Sequence, residues 1–176
     1  VELMAERGLS LTHTPIMQWV HRFAPEFQKR WNRFARKTGL YWRVDETYVR
    51  IRGKWTYLYQ VVNREGKTVD SRLSVNRDVK AAKAFFREAL KTQRRAPVSI
   101  MPYSYVASRR AVKKLPQHNP CWKDTRVRLT KNVDNMIEQD ARGVKARIRP
   151  MLGFTQFDRA AVMIAGAELL HCIRNL

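Results

Sequence analysis

Two acidic residues stand where their neighbours do not favour them. Asp45 lies in the run Trp42-Arg43-Val44-Asp45-Glu46-Thr47-Tyr48-Val49. Its aromatic and β-branched composition predicts a strand. A carboxylate inside a strand is costly unless a cation or hydrogen bonds compensate it. The compensation is either a nearby arginine such as Arg43 or a bound divalent metal. Glu138 falls in the first turn of a helix expected from Asn135 to Arg149 and stopped by Pro150. Asn135 and Glu138 have the spacing of a capping box, and a cap alone accounts for that acid. Helical periodicity also puts Glu138, Arg142, Lys145 and Arg149 on one face, an acid beside a basic stripe able to grip phosphates. Carboxylates from a strand and a helix suit magnesium, which takes oxygen ligands and keeps its waters. The chemistry available to such a pair is metal-assisted phosphoryl transfer.

The elements that must position these acids follow from periodicity and turn residues. Tyr41–Val49, Lys54–Asn63 and Lys67–Ser74 read as three strands separated by Gly53 and Gly66, an antiparallel meander. Asp78–Lys91 reads as a helix with Val79, Ala82, Phe85, Phe86 and Leu90 inward. Pro97–Met101 is a short strand, Tyr105–Leu115 a helix, and Arg126–Leu129 a strand. Gln156–Ile173 is a last helix with Ala160, Met163, Ile164, Ala167 and Leu170 on one face. Three antiparallel strands followed by alternating helix and strand is the order of ribonuclease H-like α/β folds with a mixed five-stranded sheet.

Ahead of this unit, residues 1–7 read as a helix end stopped at Gly8. A second helix follows, with Thr14 as N-cap, Pro15 at its first position, an apolar stripe of Ile16, Trp19, Val20 and Phe23, and an end at Ala24-Pro25. Residues 26–37 form a separate basic helix, with Phe27, Trp31 and Phe34 on one face, leading to Thr38-Gly39. Helix, glycine turn, helix is the outline of a helix-turn-helix that would present Thr14, Gln18, His21 and Arg22 to DNA. An ordinary helical hairpin has the same outline. A helix-turn-helix needs a third helix, which would precede residue 1, and Val1 already lies in a helical pattern, so an N-terminally truncated remnant is expected. The division is residues 1–38 and residues 39–176.

The charge points to a polyanion. Lys and Arg number 35 against 15 Asp and Glu, a formal +20 with pI about 10.8. The excess is not confined to a tail: residues 1–38 hold 7 basic and 3 acidic groups, and residues 39–176 hold 28 and 12. Cys121 and Cys172 lack zinc-ligand spacing, His118 and His171 read as structural, and a reduced, cytoplasmic setting is expected. No apolar run is long enough to span a membrane, and no RNA-recognition aromatic motif occurs. Trp55, Tyr57 and Tyr59 alternate along one strand; stacking on bases is possible there, but a packed sheet face is the expectation. Arg109-Arg110 and Lys113-Lys114 suit a solvated helix face as well as a DNA contact, and Lys131 could contact phosphate.

Several segments together resemble one family. Val44-Asp45-Glu46-Thr47-Tyr48-Val49 with Gly53-Lys54-Trp55-Thr56-Tyr57-Leu58-Tyr59 is similar to the start of the catalytic domain of insertion-sequence family six transposases. So are Asn135-Met136-Ile137-Glu138-Gln139-Asp140, Arg142-Gly143-Val144-Lys145 and Ile148-Arg149-Pro150-Met151-Leu152-Gly153-Phe154. Residues 4–25 resemble that family's helix-turn-helix. The resemblance implies a retroviral-integrase-like DDE core that uses Mg2+ or Mn2+ to cleave and join DNA at element ends. It implies terminal inverted repeats and target DNA as partners, a homo-oligomer on DNA, and a bacterial, nucleoid-associated location. It makes Asp45 the first acid of the triad and Glu138 the last. The middle acid aligns with Tyr103, before the helix Tyr105-Val106-Ala107-Ser108-Arg109-Arg110-Ala111-Val112, and 34 residues separate Tyr103 from Glu138. A histidine expected after Gln139-Asp140 is Ala141. The resemblance thus implies a transposase impaired in this copy, or a non-catalytic DNA-binding or regulatory remnant.

Overall fold

The computed structural model describes residues 2–34, 39–102, 106–117, 119–128, 146 and 154–174. Tyr103, His118, Lys131, Glu138, Arg142, Lys145 and Arg149 lie outside the described residues, as does the helix expected over 135–149 apart from residue 146.

The sheet begins with β1 (Tyr41–Ile51), β2 (Lys54–Val62) and β3 (Thr68–Ser74), paired antiparallel. Arg52 and Gly53 join β1 to β2 with φ of 49° and 76°. Positive φ at both central residues is what a two-residue hairpin of the right twist requires, and glycine meets it without strain. At the next turn Asn63 Oδ1 accepts from the backbone N–H of Glu65 and of Lys67, at 2.9 and 2.8 Å. β4 (Ser99–Pro102) and β5 (Arg126–Val127) then add in parallel, giving the order β3-β2-β1-β4-β5. This is the mixed five-stranded sheet the sequence predicts.

Alternation along the strands makes two cores. On one face, Trp42, Val44, Tyr59, Val61 and Ile100 meet helices α3 (Val79–Gln93) and α4 (Val106–Lys114) through Ala82, Phe85, Phe86, Ala111 and Val112. Trp122, from a short 3-10 turn at Pro120–Trp122, closes this core edge-on to Trp42 at 5.9 Å. Asp78 starts α3 by accepting from Ala81 N at 2.7 Å. On the other face, Val49, Ile51, Leu58 and Leu73 meet Ala160 and Ile164 of the last helix, α5 (Phe157–Arg174). Leu170, expected inward, is 63% exposed, and the buried side chains at that end are Glu168 and Leu169.

The N-terminal segment departs from expectation. After the short α1 (Glu2–Ala5) and Gly8, with φ of 74°, a single helix α2 runs from His13 to Phe34. It does not stop at Ala24-Pro25, and the separate helix expected over 26–37 is its continuation. Proline removes one backbone donor and crowds the preceding turn. Here Pro25 is exposed, while Val20 and Ala24 on the packed side face Gly166 of α5. Packing against α5 carries the helix through the lost bond. The helix opens at His13, so Thr14 and Pro15 lie within its first turn. The expected stripe is only partly covered: Ile16 and Val20 are half-buried, but Trp19, Phe23 and Phe27 are 44%, 47% and 62% exposed.

Candidate functional site

Asp45 is half-buried in the middle of β1, the central strand. Odd residues of β1 point toward α5, so Asp45 shares its face with Thr47 and Val49. Thr47 Oγ1 donates to Asp45 Oδ2 at 3.4 Å. Arg43, the arginine nearest in sequence, donates from Nη2 to the carbonyl of Arg64 at 3.3 Å. The ladder partner of Asp45 on β2 is Gln60. Gln60 Nε2 donates to Glu168 Oε2 at 3.1 Å, and Thr68 Oγ1 donates to the same oxygen at 3.0 Å. A buried acid of α5 is thereby tied to the strand residue beside Asp45.

The parallel ladder of β1 with β4 ends at Val44 and Pro102. Asp45 is the next residue on β1, and Pro102 is the last described residue of β4. Farther along, Ile51 bridges to Phe154. Among the described residues, β1 has no partner on that side from Asp45 to Arg50.

Glu46 points the opposite way, into the α3 and α4 side, and is 7% exposed. It accepts from Ser108 of α4 and forms an ion pair with Arg77 Nε at 3.2 Å. Burial raises its pKa; the hydrogen bonds from Ser108 and Arg77 and the Arg77 charge oppose that rise, and the Asp45 charge adds to it. Neither Glu46 nor Glu168 was among the sequence candidates. The available signals were a second acid in the same strand and an acid inside the apolar run Ala167-Glu168-Leu169-Leu170.

Asp45 is an oxygen donor of the kind that hard cations take. Among the described residues no three His, Cys, Asp or Glu side chains gather to hold a metal. The described part therefore offers one carboxylate facing this edge, which fits a metal only if residues beyond it add another. Of the expected DNA-facing residues, Thr14, Gln18 and Arg22 are exposed, whereas His21 is half-buried with Nε2 enclosed. Trp55 departs from the packed-face expectation: Tyr59 is fully buried but Trp55 is 59% exposed. No described helix is long and apolar enough to cross a membrane.

Comparison with known proteins agrees with this geometry. A family model described as a DDE domain matches residues 39–176. The transposase for insertion sequence-like element IS431mec of Staphylococcus aureus (strain Mu50) is 34% identical over 176 residues, covering 98% of this chain and 75% of that protein. The transposase for insertion sequence element IS257 in transposon Tn4003, also from Staphylococcus aureus, is 33% identical over the same shares. Among solved structures, the catalytic core domain of BIV integrase superposes with a TM-score of 0.52 at 13% identity, covering 73% of this chain and 81% of that one. At that identity the likeness concerns the fold, which is ribonuclease H-like. A matched domain over most of the chain, relatives aligned along nearly all of it, and a carboxylate on the central strand lead to one assignment: the chain belongs to the insertion-sequence transposases with a DDE domain.

Proposed function

We propose that this chain acts on DNA as a DDE recombinase by descent, with Asp45 and Glu138 as its metal-holding carboxylates and Tyr103 in the place of the middle acid. The observation that carries the reading is the position of Asp45, central on β1 and one residue past Val44, which pairs with Pro102 of β4. Divalent-metal dependence is general to DDE enzymes, and oxygen donors favour Mg2+ or Mn2+ here. When bound, such ions neutralise developing charge on the phosphodiester and hold the attacking and leaving oxygens. Asp45 contributes a fixed anionic anchor, oriented by Thr47. Arg142, Lys145 and Arg149 grip phosphates beside Glu138. Residues 1–38, with Thr14, Gln18 and Arg22 exposed on α2, serve as a DNA-contacting helical segment and basic linker, and residues 39–176 as the core. The DNA partners are terminal inverted repeats and target DNA, engaged by a homo-oligomer associated with the bacterial nucleoid.

A phenol is neutral at pH 7 and a poor magnesium ligand. Groups that act as a unit fail together. Tyr103 therefore favours a copy slowed by about a thousandfold or more, whose remaining role is non-catalytic DNA binding or regulation. The test is magnesium-dependent nicking of inverted-repeat DNA by the chain, by Tyr103→Asp and by Asp45→Ala with Tyr103→Asp. Rescue by Tyr103→Asp that is lost again with Asp45→Ala supports the assignment. Near-normal strand transfer by the unmodified chain overturns the role given to Tyr103. For DNA binding itself, a log–log salt slope steeper than about 4 indicates several phosphate contacts, and a flat slope removes DNA as the partner.

A further inference from the structure

The α3 and α4 face of the sheet carries three aromatic rings near the β1–β2 hairpin. Tyr48 is 44% exposed and Trp55 59% exposed, with Tyr57 half-buried beside them. The ladder pairs Tyr48 with Tyr57 and Arg50 with Trp55. Tyr48 lies 6.0 Å from Trp55 and 5.5 Å from Tyr57, centroid to centroid. Two guanidinium groups lie over these rings, Arg50 at 5.8 Å from Trp55, and Arg77 at 5.3 Å from Tyr48 and 5.8 Å from Tyr57. Both are held in place. Arg50 Nε donates to Gly53 O at 3.3 Å, and Arg77 Nη1 donates to Tyr48 Oη at 2.6 Å while its Nε pairs with Glu46.

Core packing accounts for Tyr59 on this face but not for Trp55. A partner must satisfy both the rings and the cations. A second copy docking through the same patch would bring the exposed Arg50 against its own equivalent, and like charges across an interface are unfavourable. Exposed Arg52 and Lys54 at the hairpin tip add to that repulsion. A polyanion with accessible flat π surfaces meets both demands. Single-stranded nucleic acid is such a polyanion, because its bases are free to stack on rings and guanidinium planes while its phosphates meet the cations. Duplex DNA keeps its bases inside the helix.

We propose that Tyr48, Trp55 and Tyr57, with Arg50 and Arg77, form a stacking platform for unpaired bases of single-stranded DNA. The proposal rests on the reading of this chain as a DNA-acting protein and adds a base-binding surface distinct from the Asp45 edge. Tyr48 is three residues beyond Asp45 on β1 and faces the other side of the sheet, about 10 Å away along the strand. Binding at the platform does not need metal.

The experiment measures fluorescence anisotropy of three labelled probes with the full chain in EDTA: an oligothymidylate, an abasic phosphodiester strand of equal length and charge, and a duplex. The unmodified protein is expected to favour the oligothymidylate over the abasic strand by about tenfold or more. Trp55→Ala and Tyr48→Ala each reduce that preference several-fold and leave abasic and duplex affinity unchanged, whereas Trp55→Phe retains most of it. Equal affinity of the unmodified protein for thymidylate and abasic strands overturns the platform. So does an equal loss on both strands in the variants, or a change in sedimentation with no change in preference. Duplex binding with a steep salt slope but no base preference sinks the platform alone. Absence of binding to any probe sinks the DNA-acting reading itself.

Discussion

Glu46 and Arg77 form an ion pair across the α3 side of the sheet, Nε to Oε2 at 3.2 Å, with the carboxylate side chain 3% exposed and the arginine side chain 24% exposed. Ser108 donates to the other carboxylate oxygen. A strand, the segment before α3, and α4 thus converge on one acid. Because α4 is the first described element after position 103, this acid ties the far side of that connection to the strand bearing Asp45.

Removing one partner of a buried pair leaves a charge without compensation. Arg77→Ala is expected to lower unfolding free energy by about 3 kcal/mol, read from the urea midpoint at constant slope. Adding Glu46→Gln to Arg77→Ala should recover part of the loss, since the stranded charge is then gone. A loss below about 0.5 kcal/mol for Arg77→Ala would place the pair among ordinary surface contacts.

Asp70 makes stability depend on pH in the acid range. Burial raises its pKa from 3.8 to about 6, against the opposing hydrogen bonds from Ser71 N and Thr92 Oγ1. The folded state therefore holds a proton that the unfolded chain releases between about pH 4 and pH 6. Stability contributed by the protonated form is full below about pH 4 and is lost as pH rises to about 6, by roughly 2–3 kcal/mol in total. Asp70→Asn keeps an acceptor for Ser71 N and removes the titration. Its unfolding free energy should exceed that of the parent at pH 7, with the difference vanishing near pH 4. An identical pH profile for the two proteins would falsify the assignment.

Much of the core was readable because local signals and the final packing agree. Gly53 and Gly66 mark the two turns of the meander, Asp78 caps α3, and Ala82, Phe85 and Phe86 fall on one helical face. Asp45 stood out because a carboxylate in a strand needs a reason. Pro25 misled because the contact that overrides it comes from Gly166, far along the chain. Glu46 escaped notice because its partners, Arg77 and Ser108, are 31 and 62 residues away. Strand alternation assigns Trp55 to a face but does not say how far the helices cover that face, and coverage separates Trp55 from Tyr59. Of the three candidate catalytic residues, Asp45, Tyr103 and Glu138, Asp45 alone lies among the described residues.

Gly166 tests the packing of α2 on α5. A Cβ there would lie 3.4 Å from Ala24 Cβ and 3.9 Å from Val20 Cγ1, ordinary contact distances. Gly166→Ala should therefore fit, and replacing glycine inside a helix stabilises by about 0.5–1 kcal/mol. Gly166→Leu overfills the same space and should destabilise by about 1–3 kcal/mol. If Gly166→Leu is as stable in urea as Gly166→Ala, α2 does not rest on α5 in solution.

The metal site can be tested without DNA. A ligand that binds only the folded state raises its stability in proportion to the logarithm of its affinity. Asp45 has a carboxylate on the stretch of β1 that lacks a strand partner on the β4 side among the described residues, and the proposal above gives the middle-acid position to Tyr103, a phenol that carries no charge at neutral pH. Mn2+ should therefore raise the melting temperature of Tyr103→Asp more than that of the parent, corresponding to an affinity gain of about tenfold or more per restored anionic ligand. Asp45→Asn in the Tyr103→Asp background should abolish the added shift, whereas Asp70→Asn, on the opposite face of the sheet, should not. Equal shifts for the parent and Tyr103→Asp would separate position 103 from the ion, and with it the explanation of impairment by loss of the middle acid.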